Sequence, residues 1–258
     1  MVYLKIGIIG CGAIGTAIAK AVKEGRGGDA RVVMVFDTDT AKAKELASKT
    51  GSKISTGAGE LILKSDLVVE CASQNAVREY GPKVAGKKDF MVLSVGALLD
   101  EKLRTELITK AKAKGKKIYV PSGAVCGLDG LKGARVGEID SVKLTTTKPP
   151  KSLGLDISEK NVVFSGTPEE AVKKFPANIN VSAALRLVSG NAKVTVEIVA
   201  DPSAKLNKHE ILAVGDFGGL ACRTENLPSK DNPKTSALAA MSAVATIKRL
   251  TETLIIGT

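Results

Sequence analysis

Few residues in this chain have the type and spacing to do chemistry, and they lie far apart. Gly10-Cys11-Gly12-Ala13-Ile14-Gly15 is a GxGxxG pattern that follows the apolar run LKIGII and precedes an alanine-rich segment. Gly10 permits a tight turn, Gly12 lets the backbone approach a pyrophosphate with no Cβ in the way, and Gly15 allows a helix to pack closely on a strand. The free N–H groups at the start of that helix then face phosphate at the positive end of the helix dipole, and Ala13 and Ile14, between the glycines, are expected cofactor contacts with them. Asp37 follows 22 residues after Gly15, closing a second apolar run. Its carboxylate would accept hydrogen bonds from a ribose 2′-hydroxyl and repel a 2′-phosphate. The plainer alternative is an aspartate that caps a loop. A strand before the glycines, a helix after them and an acid at this distance predict dinucleotide binding. NAD is favoured, with Lys42 or Lys44 as the cations that would tolerate NADP.

A dehydrogenase acting on an alcohol or amine also needs a proton acceptor beside the carbon that loses hydride. Imidazole suits that task, with an ordinary pKa of about 6.5. His209 is the single histidine, in the polar stretch ADPSAKLNKHEILAV between two predicted strands. A lone histidine is as readily a structural residue, and its polar surroundings tilt the reading towards a site. One histidine excludes His-rich metal sites. The four cysteines, Cys11, Cys71, Cys126 and Cys222, contain no CxxC pair, which excludes a zinc knuckle or a thioredoxin-type centre.

These residues have to be carried by regular elements. Leu4 to Ile9 reads as a strand, Gly15 to Glu24 as a helix, and Arg31 to Phe36 as a nearly all-apolar strand covered on both faces. Helices at Thr40–Thr50, Gly59–Leu63, Asn75–Ala85 and Glu101–Ala113 alternate with the strands LVVECA, FMVLSV and KIYV. This alternation predicts a doubly wound parallel sheet of the Rossmann type. Beyond Pro121 the rhythm changes to a glycine-rich loop, SGAVCGLDGLKGARVG, and then the strands SVKLTTTK and NVVFSG. Thr167-Pro168-Glu169-Glu170 has the form of a capping box that opens a helix, and a second helix is predicted from Asn180 to Val188. KVTVEIVA, HEILAVGDF and LACRTEN alternate with period two and predict three antiparallel strands. Asn232-Pro233 is expected to open a long closing helix. The domain reading is therefore residues 1–122 for dinucleotide binding, 123–232 as a smaller α+β domain with a mixed or antiparallel sheet, and 233–258 as a helix packing back on the first domain.

The chain has 258 residues, 44% hydrophobic and 25% charged, which is globular composition with ample core. The net charge of +11 reads most simply as a lysine-rich solvated surface. Two other readings are a field that gathers anionic small molecules and a nucleic-acid surface. Aromatics at 3% and the absence of a helix-turn-helix, zinc-finger or RNP-like signature speak against nucleic acid. With no run of 18 apolar residues and no signal-peptide pattern at the start, the expectation is a cytoplasmic, reduced protein without a membrane span. In KVTVEIVA, Val194, Val196 and Ile198 share one face, so the other face is free to meet a second subunit in a homodimer.

Several motifs together resemble the L-aspartate dehydrogenase family over essentially the whole chain. They are IGIIGCGAIG, VVECAS, LSVGALLD, VPSGAVCGLDGL, FPANINVSAALRL, ADPSAKLNKHEI and NPKTSALAAMSAVA. The resemblance implies NAD or NADP as cofactor and a second domain for catalysis and dimerisation. It also implies oxidation of L-aspartate to iminoaspartate, or in reverse the reductive amination of oxaloacetate with ammonia, supplying NAD biosynthesis. The family's NxHE motif falls on Asn207 to Glu210 and makes His209 the proton acceptor. Its nicotinamide-side contacts fall on Ala124 and on Asn178 or Asn180. Cys126 departs from the small residue expected in that loop. Thr235 and Ser236 are the expected partners of the substrate carboxylates, with Lys234 and Arg186 as weaker candidates. The competing readings are a homoserine-dehydrogenase-like enzyme, a dihydrodipicolinate-reductase-like enzyme, which would bring paired histidines, and a non-enzymatic dinucleotide sensor.

Overall fold

The computed structural model describes residues 3–175, 180–229 and 232–257. They form two compact units, the first comprising residues 1–121 with 240–255 and the second comprising 122–239 with 256–258.

The first unit is built on six parallel strands: β1 (Leu4–Ile9), β2 (Ala30–Phe36), β3 (Lys53–Ile54), β4 (Leu67–Glu70), β5 (Asp89–Val92) and β6 (Ile118–Tyr119). Their order in the sheet is β3-β2-β1-β4-β5-β6, so the chain reverses direction across the sheet at β1/β4. In open α/β sheets ligands bind outside the carboxyl ends of the strands at such a switch point. Helices α1 (Ala13–Lys23), α2 (Thr40–Thr50), α3 (Ala58–Lys64), α4 (Gln74–Ala85) and α5 (Glu101–Ala113) connect the strands. Ile6, Ile8, Val35, Leu67, Val69 and Met91 are buried with Ile18 and Leu46 of α1 and α2, as expected of a sheet covered by helices. Of the long final helix, Ala243, Val244 and Ile247 are buried in this same core.

Two strands stop earlier than their apolar runs predict. LVVECA pairs only as far as Glu70, because the Glu70 carboxylate accepts the N–H groups of Ala72 (2.8 Å) and Ser73 (2.9 Å) and turns the chain into α4. FMVLSV ends at Val92, and Val95–Leu99 is a 3₁₀ turn preceded by Ser94, whose N–H and hydroxyl also bind Glu70. Helix α1 starts at Ala13, two residues ahead of the expected start.

The second unit holds α6 (Leu128–Ala134), β7 (Ile139–Lys148), β8 (Asn161–Gly166), α7 (Pro168–Lys174), α8 (Asn180–Val188), β9 (Lys193–Ala200), β10 (Asn207–Gly215), β11 (Gly218–Asn226), β12 (Pro228–Ser229) and β13 (Asn232–Ser236). The expected capping box at Thr167 and Glu170 is formed in full. The five-stranded sheet has the order β11-β10-β7-β9-β8. Contrary to the expected run of three antiparallel strands, β9 does not pair with β10. It lies parallel beside β7, because β8, α7 and α8 form a crossover that returns the chain in the same direction. Leu131, Ala171, Val181 and Leu185 of the helices pack on Val142, Leu144, Val196, Ile198, Ile211 and Ala213 of one sheet face. The other face carries exposed Leu212 and Val214 among charged residues.

The closing segment also differs from expectation. Asn232-Pro233 opens a short strand, β13, paired with β12, and α9 (Ala237–Arg249) begins only at Ala237. Thr235 and Ser236 favour extended and capping backbone over helix interior. The Ser236 hydroxyl accepts the N–H of Leu238 at 3.2 Å and so caps α9.

Candidate functional site

In the first unit the glycine loop leaves β1 at the switch point. Gly10 has φ +102°, which side-chain-bearing residues rarely adopt, and a Cβ there would lie 2.7 Å from the Ala72 backbone. A Cβ on Gly15 would lie 2.0 Å from the Gly10 carbonyl, so α1 lies against the loop. At Gly12 a Cβ would meet nothing within 4 Å, which leaves open space over the loop. Helix α1 has no side-chain cap at Gly12, and the first backbone bond there runs from the Thr16 N–H to the Gly12 carbonyl. The N–H groups of Ala13, Ile14 and Gly15 therefore precede the first helical bond. Open space above unbonded donors at a positive dipole end fits a dinucleotide pyrophosphate.

Asp37 closes β2 and binds this loop: Oδ2 accepts the Cys11 N–H at 2.7 Å, and Oδ1 accepts the Asp39 N–H at 2.8 Å. The carboxylate thus fixes the loop. Lys42 pairs with Asp39 at 3.3 Å and Lys44 is exposed. Burial, and secondarily the Asp37 charge, push the Cys11 thiol up to about 12, so it packs in the core as a neutral group. Glu70 is fully buried at the end of β4 and ties the chain after β4 to Ser94 beyond β5. Burial raises its pKa against the opposing pull of its hydrogen bonds. Its strand-end position inside VVECAS was the available signal, and sequence reasoning assigned it no role. A cavity of about 780 Å³ opens at the amino ends of β1 and β2, lined by Lys23, Asp29 and Arg31. It lies at the opposite strand ends from the glycine loop and does not belong to this site.

In the second unit His209 lies on the helix-covered face of β10 and is 6% exposed. Its cross-strand partners are Thr146 on β7 and Thr224 on β11. The Thr146 hydroxyl hydrogen-bonds Nδ1 at 3.0 Å. Burial first, and the charge of Lys148 second, hold the imidazole down to about 4, so the ring is neutral at pH 7. Ala124 is placed by the adjacent strand: its carbonyl accepts the Thr224 hydroxyl at 3.0 Å and the Asn226 amide at 2.9 Å. The SGAV loop is thereby fastened to the strand beside His209. Thr146, Lys148, Thr224 and Asn226 were not singled out in the sequence. The period-two pattern of TTTK and RTEN places them on one face, but only strand pairing shows whose neighbours they are. The departure at Cys126 is an exposed thiol 3.9 Å from the Arg223 carbonyl.

Asn180 is the first residue of α8 and is exposed, whereas Asn178 lies outside the described residues. Arg186 is held at the end of α8. Its guanidinium bonds the Gly190 carbonyl at 2.6 Å and Glu169 at 3.4 Å, linking α8 to α7. Thr235 and Ser236 are half-buried at the junction of β13 and α9, and Lys234 is within β13.

A switch-point glycine loop followed by an acid-tipped second strand, together with a mixed sheet that buries a neutral imidazole, defines a dehydrogenase of the Rossmann class. Residues 10–121 match the family described as homoserine dehydrogenase, NAD binding domain, and residues 129–250 match aspartate dehydrogenase, C-terminal. The chain belongs to the L-aspartate dehydrogenase family. It is 46% identical to the L-aspartate dehydrogenase of Methanothermobacter thermautotrophicus over 260 residues, covering 100% of both chains. It is 47% identical to that of Methanocaldococcus jannaschii, covering 99% of this chain and 100% of the relative. The crystal structure of aspartate dehydrogenase from Thermotoga maritima superposes with a TM-score of 0.82 at 31% identity, covering 99% of this chain and 100% of that one. A homoserine dehydrogenase from Thiobacillus denitrificans, at 16% identity and a TM-score of 0.65, shares the fold.

Proposed function

We propose that this protein oxidises L-aspartate to iminoaspartate with NAD, and NADP as the second choice, and in reverse aminates oxaloacetate with ammonia. The observation that carries the reading is the neutral, buried His209 held between Thr146 and the strand that fastens Ala124, within a chain of this family. The first unit would hold the dinucleotide through Gly10, Gly12, Ala13, Ile14 and Gly15, with Asp37 at the adenosine ribose. Ala124 and one of Asn178 and Asn180 would contact the nicotinamide side. The dinucleotide supplies the hydride acceptor.

His209 accepts a proton from the substrate ammonium, which frees the nitrogen lone pair as the Cα hydrogen departs. A base must be unprotonated to start, and burial ensures that. The two carboxylates of aspartate bring negative charge towards the ring and raise its basicity once bound. Thr235, Ser236 and the start of α9 are the donors proposed for those carboxylates. The imine then leaves, either to hydrolyse to oxaloacetate and ammonia or to feed NAD biosynthesis.

The protein would act in the cytoplasm as a homodimer, joined through the sheet face that exposes Leu212 and Val214. Among the described residues no helix is long and apolar enough to cross a membrane. The charge of +11 serves this reading as a lysine-rich surface that attracts a dinucleotide and a dianionic amino acid.

An amino-acid panel followed at the NADH absorbance tests the activity. Aspartate-dependent reduction of NAD is expected, while turnover of homoserine alone, or binding without turnover, would overturn the reading. His209→Ala is expected to lower kcat by roughly 100-fold or more. A variant with near-parental turnover would leave His209 structural.

A further inference from the structure

The inward face of the second sheet carries a polar row that an ordinary apolar core would not contain. Thr146, His209 and Thr224 lie side by side across β7, β10 and β11, and Lys148 follows Thr146 by two residues on the same face of β7. Lys148 and His209 are each 6% exposed. Thr146, Lys148 and Ser182 of α8 line a cavity of about 10 Å³, closed by Leu144, Val196 and Ile198, with room for about one water. Desolvation pulls the pKa of the buried Lys148 ammonium down to about 8. A threonine hydroxyl and a buried cation beside the base call for an explanation beyond packing.

We propose that Thr146 and Lys148 are positioning residues for His209: the Thr146 hydroxyl accepts the Nδ1–H and leaves Nε2 as the proton-accepting atom, while the Lys148 ammonium adds to burial in disfavouring a protonated ring in the free enzyme. With the hydroxyl as acceptor, this 3.0 Å hydrogen bond holds the proton on Nδ1 and fixes the plane of the ring. Alternation along the strands sends the other charges to the far face of the sheet. There Lys143 pairs with Glu197, Lys208 with Glu225, and Arg223 with Glu210. On the covering helices, Asp129, Lys132, Glu169, Glu170, Lys173 and Lys174 are exposed, and Arg186 is engaged by Glu169. Asp201, next to the Lys148 strand end, directs its carboxylate to Ser203 and Lys160. Lys148 is thus the charge that acts on the ring, and it disfavours a second positive charge beside it. This extends the reading of His209 as the base and depends on it.

Because the chain has one histidine, imidazole resonances in ¹⁵N-labelled, tag-free protein are unambiguous. In the parent, Nε2 is expected as the lone-pair nitrogen and Nδ1 as the N–H, with a titration midpoint near 4. Thr146→Val should change that tautomer pattern and lower kcat by about tenfold or more, leaving KM for the dinucleotide unchanged. Thr146→Ser should restore both. Lys148→Met should raise the midpoint by about one unit, still below the ordinary value because burial remains, and Lys148→Arg should keep it low. An unmoved midpoint in Lys148→Met, or the parental tautomer in Thr146→Val, overturns the proposal. The spectra need no turnover, so the two readings fail separately. An inactive chain overturns His209 as the base, and an active chain with unmoved resonances overturns the roles of Thr146 and Lys148.

Discussion

The glycine loop offers a test in which stability and binding should part company. Two substitutions of the same size, Gly12→Ala and Gly15→Ala, lie three residues apart in one motif. At Gly15 the added methyl would lie 2.0 Å from the Gly10 carbonyl, whereas real Cβ contacts stay beyond 3.0 Å, so α1 has to retreat by about 1 Å. Overpacking of this kind costs about 1–3 kcal/mol, which lowers Tm by roughly 2–12 °C in a protein of this size. At Gly12 the methyl meets nothing within 4 Å, and φ −72° suits alanine. The loss of a favourable helix-capping residue and the gain from a less flexible unfolded chain nearly cancel, leaving Tm within about 4 °C of the parent. The same methyl stands in the open space assigned to the pyrophosphate. A loss of about 1.4–3 kcal/mol there weakens NADH binding roughly 10–100-fold. Thermal melts and a fluorescence titration with NADH read both effects. Parental affinity in Gly12→Ala would refute the placement of the pyrophosphate, and a parental Tm in Gly15→Ala would refute the tight helix–loop packing.

Asp37→Ala should raise the affinity for NADP relative to NAD by roughly tenfold, since it removes both the ribose acceptor and the charge facing a 2′-phosphate. An unchanged ratio of the two dissociation constants contradicts that role. For His209 the folded pKa lies below the unfolded value, so on acidification the unfolded chain takes up its proton first. The stability it contributes is present above pH 6.5 and is lost as pH falls towards 4, by about 2 kcal/mol at pH 5. Urea melts at pH 7.5 and pH 5 should show that part of the acid loss missing in His209→Asn; equal losses in the two proteins argue against a buried neutral imidazole. Leu212→Glu puts a charge on the exposed sheet face and should convert a dimer to a monomer by light scattering, with the parent monomeric if that face is not an interface.

Much of the first unit was legible in the sequence because its signals are local. A glycine pattern, an acid after the next apolar run and strands alternating with helices each depend on neighbours a few residues away. The ends of β4 and β5 were not legible, because the carboxylate of Glu70 binds the backbone of residues on two separate connections. In the second unit the strand segments were evident from period-two alternation, but their order was not. Alternation tells which face a side chain takes, and it cannot tell which strand lies beside it. The crossover that seats β9 parallel to β7, and the strand at Asn232–Ser236 in place of a helix, are decisions of tertiary pairing.

The same division holds for the site. By itself the sequence determined the glycine loop and the acid, Asp37, that follows the second strand, and it left His209 as the one imidazole that any acid–base proposal had to use. Only the tertiary structure decided what kind of imidazole it is. Thr146 and Thr224, 63 and 15 residues away along the chain, become its cross-strand neighbours, and Lys148 becomes the buried charge beside it. Basicity and tautomer depend on burial and on groups within a few ångströms, and those distances exist only after the strands have paired.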